Sequence, residues 1–192
     1  MSQIEWSEVS LTPLRAADLD QIWQWQNSPD IRDLSMGFRM PVPFENVEDW
    51  FSRIRSDESG KRIVFAVRVS GELAGTVELH SVKMLHRKAS LAIVLGDLTR
   101  QGRNLGFVAC SLALDFAFNS LDLRRVELEV VESNMRAVRL YERLGFLLEG
   151  RKREDYFAHG RRMDVLVFGL LREEWSGVLP ADANRLVGTF DA

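Results

Sequence analysis

Residues 91–146 read LAIVLGDLTRQGRNLGFVACSLALDFAFNSLDLRRVELEVVESNMRAVRLYERLGF, and the order of patterns within them decides the fold. An apolar run, Leu91 to Leu95, gives way to a polar loop bearing Gly102 and Gly106. A helix-period run starts near Phe107, and a strand follows from Arg125 to Val131. A second helix, Asn134 to Leu144, stops at Gly145. Strand, glycine-bearing loop, helix, strand, helix is the layout of a nucleotide or cofactor site.

Upstream, Val9 to Leu14 reads as a strand ended by the Pro13 region. Ala16 to Trp25 reads as a helix with Asp18 and Asp20 in its first turns, where the helix dipole favours acids. Asn27-Ser28-Pro29-Asp30 is a turn or a helix restart. Residues 31–43 (IRDLSMGFRMPVP) form an irregular segment around Met36, Gly37 and Phe38, which either shapes a pocket or packs as a connector. Phe44 to Arg55 is a helix with Val47, Trp50, Phe51 and Ile54 at helical spacing. Strands follow at Arg62 to Val69, Leu73 to His80 and Lys88 to Leu95, the first two joined by a tight turn at Ser70-Gly71-Glu72. Downstream, Phe146 to Phe157 and Asp164 to Leu171 are strands turned at His159-Gly160. The sum is an α/β (α+β) fold, a mixed central sheet of about seven strands with about four helices. Residues 1–175 read as one domain, and residues 176–192 lose periodicity and read as a tail, with Leu186 and Phe190 able to dock it.

At 192 residues the chain is long enough to bury a full core. Its 46% apolar and 28% charged content are those of a globular protein. A net charge of −3 without a basic stripe argues against a nucleic-acid partner. The single cysteine, Cys110, excludes an internal disulfide and sits within a helical pattern as a small core residue. MSQIEWSEVS lacks the features of a signal peptide, and the run Val165 to Leu171 is too short to span a bilayer. The expectation is a cytoplasmic protein with no membrane partner.

Arg100 to Gly106 (RQGRNLG) joins a strand to a helix, where free N–H groups and the dipole make an anion site to which Arg100 and Arg103 add charge. These residues resemble the loop of the GNAT superfamily of acyl-CoA-dependent N-acyltransferases. That pattern is Gln or Arg, two residues, Gly, one residue, then Gly or Ala. Gln101 and Gly106 match it, and Asn104 stands where the first glycine usually is. Asparagine tolerates positive φ, so the loop keeps its shape. Asn134, Ala137, Tyr141 and Gly145-Phe146 follow in the family's order. Glu149-Gly150, the Gly160 turn, Asp164 and the closing LLREEW (residues 170–175) resemble the RimJ/RimL-like and spermidine N-acetyltransferase-like branch.

The resemblance implies the GNAT fold, with acetyl-CoA held between two splayed central parallel strands. The backbone of Ile93, Val94 and Leu95 would pair with the pantetheine arm. The amides of Gln101, Gly102, Arg103, Asn104, Leu105 and Gly106 would hold the pyrophosphate. Asn134 would bond the CoA arm, serve as an N-cap, or both. Arg143 would reach the adenosine end.

The implied reaction is direct transfer of acetyl to a primary amine, with Tyr141 as general acid for the CoA thiolate. An alkyl amine is neutral only about once in 10³ molecules at pH 7, a deficit of roughly 4 kcal/mol that desolvation or a base must cover. Relatives often carry a Glu at the start of the strand Lys88 to Leu95, but here Ser90 stands there, so the base lies elsewhere or is a water chain. Glu78 is the first choice, sharing a strand face with Thr76 and His80; Glu127 and Glu129 share another. The acceptor is a small amine (a polyamine, amino sugar or antibiotic) or, alternatively, a protein N-terminus. A non-catalytic acetyl-CoA sensor is the other class. The branch also allows a homodimer. No metal is expected, because His80, His86 and His159 lack ligand spacing with carboxylates or thiols.

Overall fold

The computed structural model describes residues 3–34, 36, 40–57, 59–100, 102–177 and 179–184. Within them lies a seven-stranded sheet: β1 (Val9–Pro13), β2 (Ile63–Val69), β3 (Glu72–Lys83), β4 (Lys88–Leu95), β5 (Arg125–Val131), β6 (Leu147–Ala158) and β7 (Arg161–Leu171). The order is β1-β2-β3-β4-β5-β7-β6, and every pairing is antiparallel except β4 with β5. The α-helices are α1 (Leu19–Asn27), α2 (Pro29–Leu34), α3 (Phe44–Arg55), α4 (Leu105–Asp115) and α5 (Met135–Arg143).

Five α-helices stand where about four were expected, because the chain restarts at Pro29. Proline suits the first turn of a helix, where its missing N–H costs nothing. The Asn27 side chain stabilises the break, accepting from Val42 N (2.9 Å) and donating to the carbonyls of Trp23 and Val42 (both 3.0 Å). β4, β5 and α3 fall on the expected bounds. β3 runs past His80 to Lys83 through a bulge at which Ser81 has φ 52°, and this ends the strand's simple alternation.

Alternation along β2 assigns the faces. Phe65 and Val67 pack into the larger core cluster with α4 and α5, while Ala66 between them packs with Leu19, Ile22 and Trp25 of α1 and Val47 and Phe51 of α3. So α1 and α3 cover one face, and α4 the other. α4 is apolar nearly all round, and Val108, Ala109, Cys110 and Leu112 are all buried. That is the pattern of a helix sunk in a core.

The start of α1 is bolted to the sheet by a buried ion pair. Arg68 of β2 donates to both oxygens of Asp18 (3.0 and 2.8 Å), and its Nε donates to Thr12 of β1 at 2.9 Å. The far end of α1 presses Trp25 onto Gly96, where a Cβ would lie 1.9 Å from the indole ring. No other residue allows that approach.

β4 and β5 pair only at Lys88–Arg125, Ala89–Val126 and Ser90–Glu127. Beyond them β4 stays bonded to β3 alone and β5 to β7 alone. The strands therefore part, leaving the edge of Leu91–Leu95 that faces β5 without a strand partner. In the stretch expected as a tail, Leu179 is buried in the larger core cluster, and Asn184 donates to the carbonyls of Ser7 (2.9 Å) and Val9 (2.8 Å). Leu186 and Phe190 lie outside the described residues, as do Gly37 and Phe38.

Candidate active site

A cleft of ≈ 1690 Å³ opens where β4 and β5 diverge. One wall is Ile93, Val94 and Leu95, whose free edge offers backbone groups to an extended ligand. Gly102, Asn104, Leu105 and Gly106 close one end, and Asn134, Tyr141 and Arg143 line the α5 side. Thr76 and Glu78 reach the cleft from β3.

The loop before α4 is held in the left-handed region, Gly102 at φ 77° and Asn104 at φ 72°. Asparagine thus adopts the conformation that a glycine would otherwise supply. Asn104 is the N-cap of α4, yet its side chain caps no N–H. Its Oδ1 instead accepts from Arg143 Nη1 at 2.8 Å, and the Arg143 guanidinium sits 3.8 Å from the Phe107 ring centroid. The first-turn amides of α4 therefore stand at the positive end of the helix without a side-chain cap.

Two arginines of the loop lie differently. Arg100 bonds Glu72 (2.6 Å) and Asp97 (2.9 Å), so its charge serves the junction with β3. Arg103 is not among the lining residues; its carbonyl accepts from Ile4 N at 2.9 Å. Gln101 lies outside the described residues.

Asn134 Oδ1 accepts from Ala137 N at 3.1 Å, so it caps α5 while also lining the cleft. Tyr141 is buried at 6% exposure, edge-on to Phe146 at 6.0 Å between centroids. Its hydroxyl makes no hydrogen bond among the described residues. Leaving a buried hydroxyl unbonded costs about 1–3 kcal/mol, so a partner arriving in the cleft is favoured. Burial raises the Tyr141 phenol above its ordinary range, and Cys110 pushes it the same way. The fully buried Cys110 thiol is itself pushed up to about 12.

Glu78 is held by Arg62, whose Nε (2.9 Å) and Nη2 (2.7 Å) both bond Oε2, leaving Oε1 without a described partner. His80 bonds Ser81 at 3.2 Å and does not line the cleft. Glu129 lines it and pairs with Lys152. Glu127 lies outside it. Burial would raise the Glu127 carboxyl, but the hydrogen bonds from Lys88 and Arg125 outweigh that and hold it below the usual range.

Sequence reasoning missed Arg136 and Arg139, which line the cleft with Arg143. Their spacing of three and four residues along α5 was the available signal, a basic stripe on one helix face. The tryptophans and aromatics of residues 23–51 were expected to set the acceptor, and Trp25 and Trp50 line the cleft; Asp49 and Arg53 line it too and were not singled out.

Comparison with known proteins decides the family: the profile described as "Acetyltransferase (GNAT) domain" matches residues 8–147. This chain is a GNAT acetyltransferase. The acetyltransferase is 31% identical over 170 residues to spermidine N(1)-acetyltransferase of Vibrio cholerae, covering 88% of this chain and 96% of that one. It is 29% identical to the Escherichia coli K12 protein of the same name, covering 87% and 88% respectively. The crystal structure of spermidine N-acetyltransferase from V. cholerae in complex with CoA and spermine superposes with a TM-score of 0.81, at 28% identity and 88% and 98% coverage.

The chain is thus an acetyl-CoA-dependent N-acetyltransferase, and its residues fit that co-substrate. The free edge of β4 suits an extended amide-bearing arm, the uncapped turn of α4 suits a pyrophosphate, and Arg136 and Arg139 add positive charge to the lining. Among the described residues no group of three or more His, Cys, Asp or Glu is placed to hold a metal ion, and no helix is long and apolar enough to cross a membrane.

Proposed function

We propose that this acetyltransferase acetylates a primary amine of a small polyamine-type acceptor by direct attack, with Tyr141 as general acid and Glu78 as proton acceptor. Acetyl-CoA supplies the activated thioester carbonyl and the thiol leaving group. The observation that carries the reading is Tyr141: a buried hydroxyl with no hydrogen bond among the described residues, in a cleft that also contains Glu78.

The polyamine class is supported by likeness to the spermidine acetyltransferases and by the carboxylates of Asp49, Glu78 and Glu129 in the cleft. Glu78 and Glu129 are paired with Arg62 and Lys152, so of these three Asp49 is the one without a described cationic partner. The attacking nitrogen must first lose its proton, and Oε1 of Glu78 is the open acceptor for it, directly or through a water. On the leaving side, a phenol whose proton is held tightly is a useful donor only to a basic thiolate. A departing thiolate accepts a hydrogen bond from the Tyr141 hydroxyl and takes its proton as the C–S bond breaks.

Thiol release from acetyl-CoA against polyamines, amino sugars, aminoglycosides and N-terminal peptides tests this. The expected result is turnover with spermidine or spermine well above the other classes. Turnover confined to peptides or amino sugars would overturn the acceptor. Silence across the panel, with acetyl-CoA still raising the melting temperature, would favour an acetyl-CoA sensor.

A further inference from the structure

The segment from Ile4 to Glu8 runs against the loop that precedes α4. Ile4 is buried at 2% exposure in the larger core cluster, and its backbone N–H donates to the Arg103 carbonyl at 2.9 Å. Trp6 packs edge-on against Phe107 in the first turn of α4, with centroids 6.1 Å apart. The segment is anchored from behind as well. The Glu8 carbonyl accepts from Ser70 N at 2.8 Å, and the Asn184 side chain donates to the carbonyls of Ser7 and Val9. Residues 4–8 are thus a fixed arm laid against the loop.

The bond to Arg103 has a directional consequence. The peptide joining Arg103 to Asn104 is trans and planar, so its N–H points opposite to its C=O. With the C=O turned to Ile4, the Asn104 N–H is turned away from Ile4. Asn104 lines the cleft, whereas Ile4 and Arg103 do not. Gly102, at φ 77°, gives the loop a wide choice of backbone paths, so the loop alone does not fix this plane. A hydrogen bond from outside the loop does. Turned the other way, the same peptide would aim a carbonyl dipole where an anion needs an amide.

We infer that Ile4 is a positioning residue for the cofactor: its N–H holds the Arg103–Asn104 peptide so that the Asn104 amide is offered to the pyrophosphate of CoA. This rests on the acetyl-CoA reading of the cleft. It assigns a part in cofactor binding to a residue outside the cleft, acting through its backbone alone.

The test replaces Ile4 by its α-hydroxy acid, which turns the amide between residues 3 and 4 into an ester. That deletes one N–H and keeps the side chain. Ile4→Pro removes the same N–H and is the second variant if the ester folds poorly. Leu123→Ala, a cavity in the same buried cluster, is the control for general loosening. CoA and 3′-dephospho-CoA are titrated calorimetrically, and acetyl-CoA is compared as donor with acetyl-pantetheine, which has no pyrophosphate. The expected result for the ester is a loss on the order of tenfold in affinity for both CoA and 3′-dephospho-CoA. Its KM for acetyl-CoA rises by a similar factor while kcat and the KM for the amine hold. With acetyl-pantetheine the difference between ester and wild type shrinks to less than about twofold. Leu123→Ala lowers the melting temperature and leaves CoA affinity within about twofold of wild type.

An ester that binds CoA as tightly as the wild type would overturn the inference. So would a loss as large in Leu123→Ala, because loosening of the core would then account for it. An undiminished loss with acetyl-pantetheine would overturn it too, since the bond would not be acting on the pyrophosphate. A wild type that binds no CoA would overturn the cofactor reading, and the inference with it, before any variant is made.

Discussion

The two ends of the cleft are built in opposite ways. At the end proposed for the cofactor, a strand edge, a helix start and a row of arginines on α5 present repeating backbone and side-chain groups, nearly all from residues 91–146. The rest of the lining gathers single side chains from α1, α3, β3 and β5, among them Trp25, Asp49, Trp50, Glu78 and Glu129. The first surface is regular in geometry, which a local motif can specify. The second depends on how distant elements dock. A buried ion pair, Arg68–Asp18, ties the start of α1 to the sheet.

That difference is open to attack. The largest effect expected is from Arg68→Ala, which leaves the Asp18 carboxylate buried and unpaired at a cost of about 3–5 kcal/mol. For a chain of this size that is on the order of 10 °C in melting temperature by calorimetry. In the folded fraction the KM for the amine should rise more than the Kd for CoA. Equal losses at both ends would show that the two halves are not independent.

Glu78→Gln sharpens the account of the acceptor end. Losing the proton acceptor should lower kcat/KM for the amine by on the order of 10²-fold at neutral pH, with CoA affinity unchanged by titration. An unchanged rate would return the base to a water chain.

The smallest effect is on alkaline stability. The folded-state values of both Cys110 and Tyr141 are raised by burial, so their stabilisation is complete below the unfolded values. It falls away as pH climbs past about 8.5 for the thiol and about 10 for the phenol. Tyr141→Phe removes the second loss, worth about 1.4 kcal/mol at pH 11. The variant's melting temperature should therefore gain on the wild type between pH 8 and pH 11. A constant gap would mean that the phenol titrates normally.

Much of this was legible in the sequence, and unevenly so. β4, β5, α5 and the glycine-bearing loop could be read because each is a short local pattern with a fixed period. Asn104 was readable as a residue fit for positive φ, and its φ of 72° agrees. What Arg143 bonds was not readable, since a contact across 39 residues follows from packing. Arg100 looked like a phosphate ligand by position, yet Glu72 and Asp97 hold it elsewhere. The restart at Pro29 was visible as a choice, and Asn27 settled it through bonds to Val42. The arginine stripe on α5 was in plain sight and went unread.

The most direct test of the central claim is the turnover of Tyr141→Phe with spermidine at saturating acetyl-CoA. The account predicts kcat lower by on the order of 10²-fold, with the Kd for CoA and the KM for the amine close to wild type, because the phenylalanine keeps the packing against Phe146 and loses only the proton. A kcat within about twofold of wild type would contradict it, since the thiolate would then be leaving without that donor.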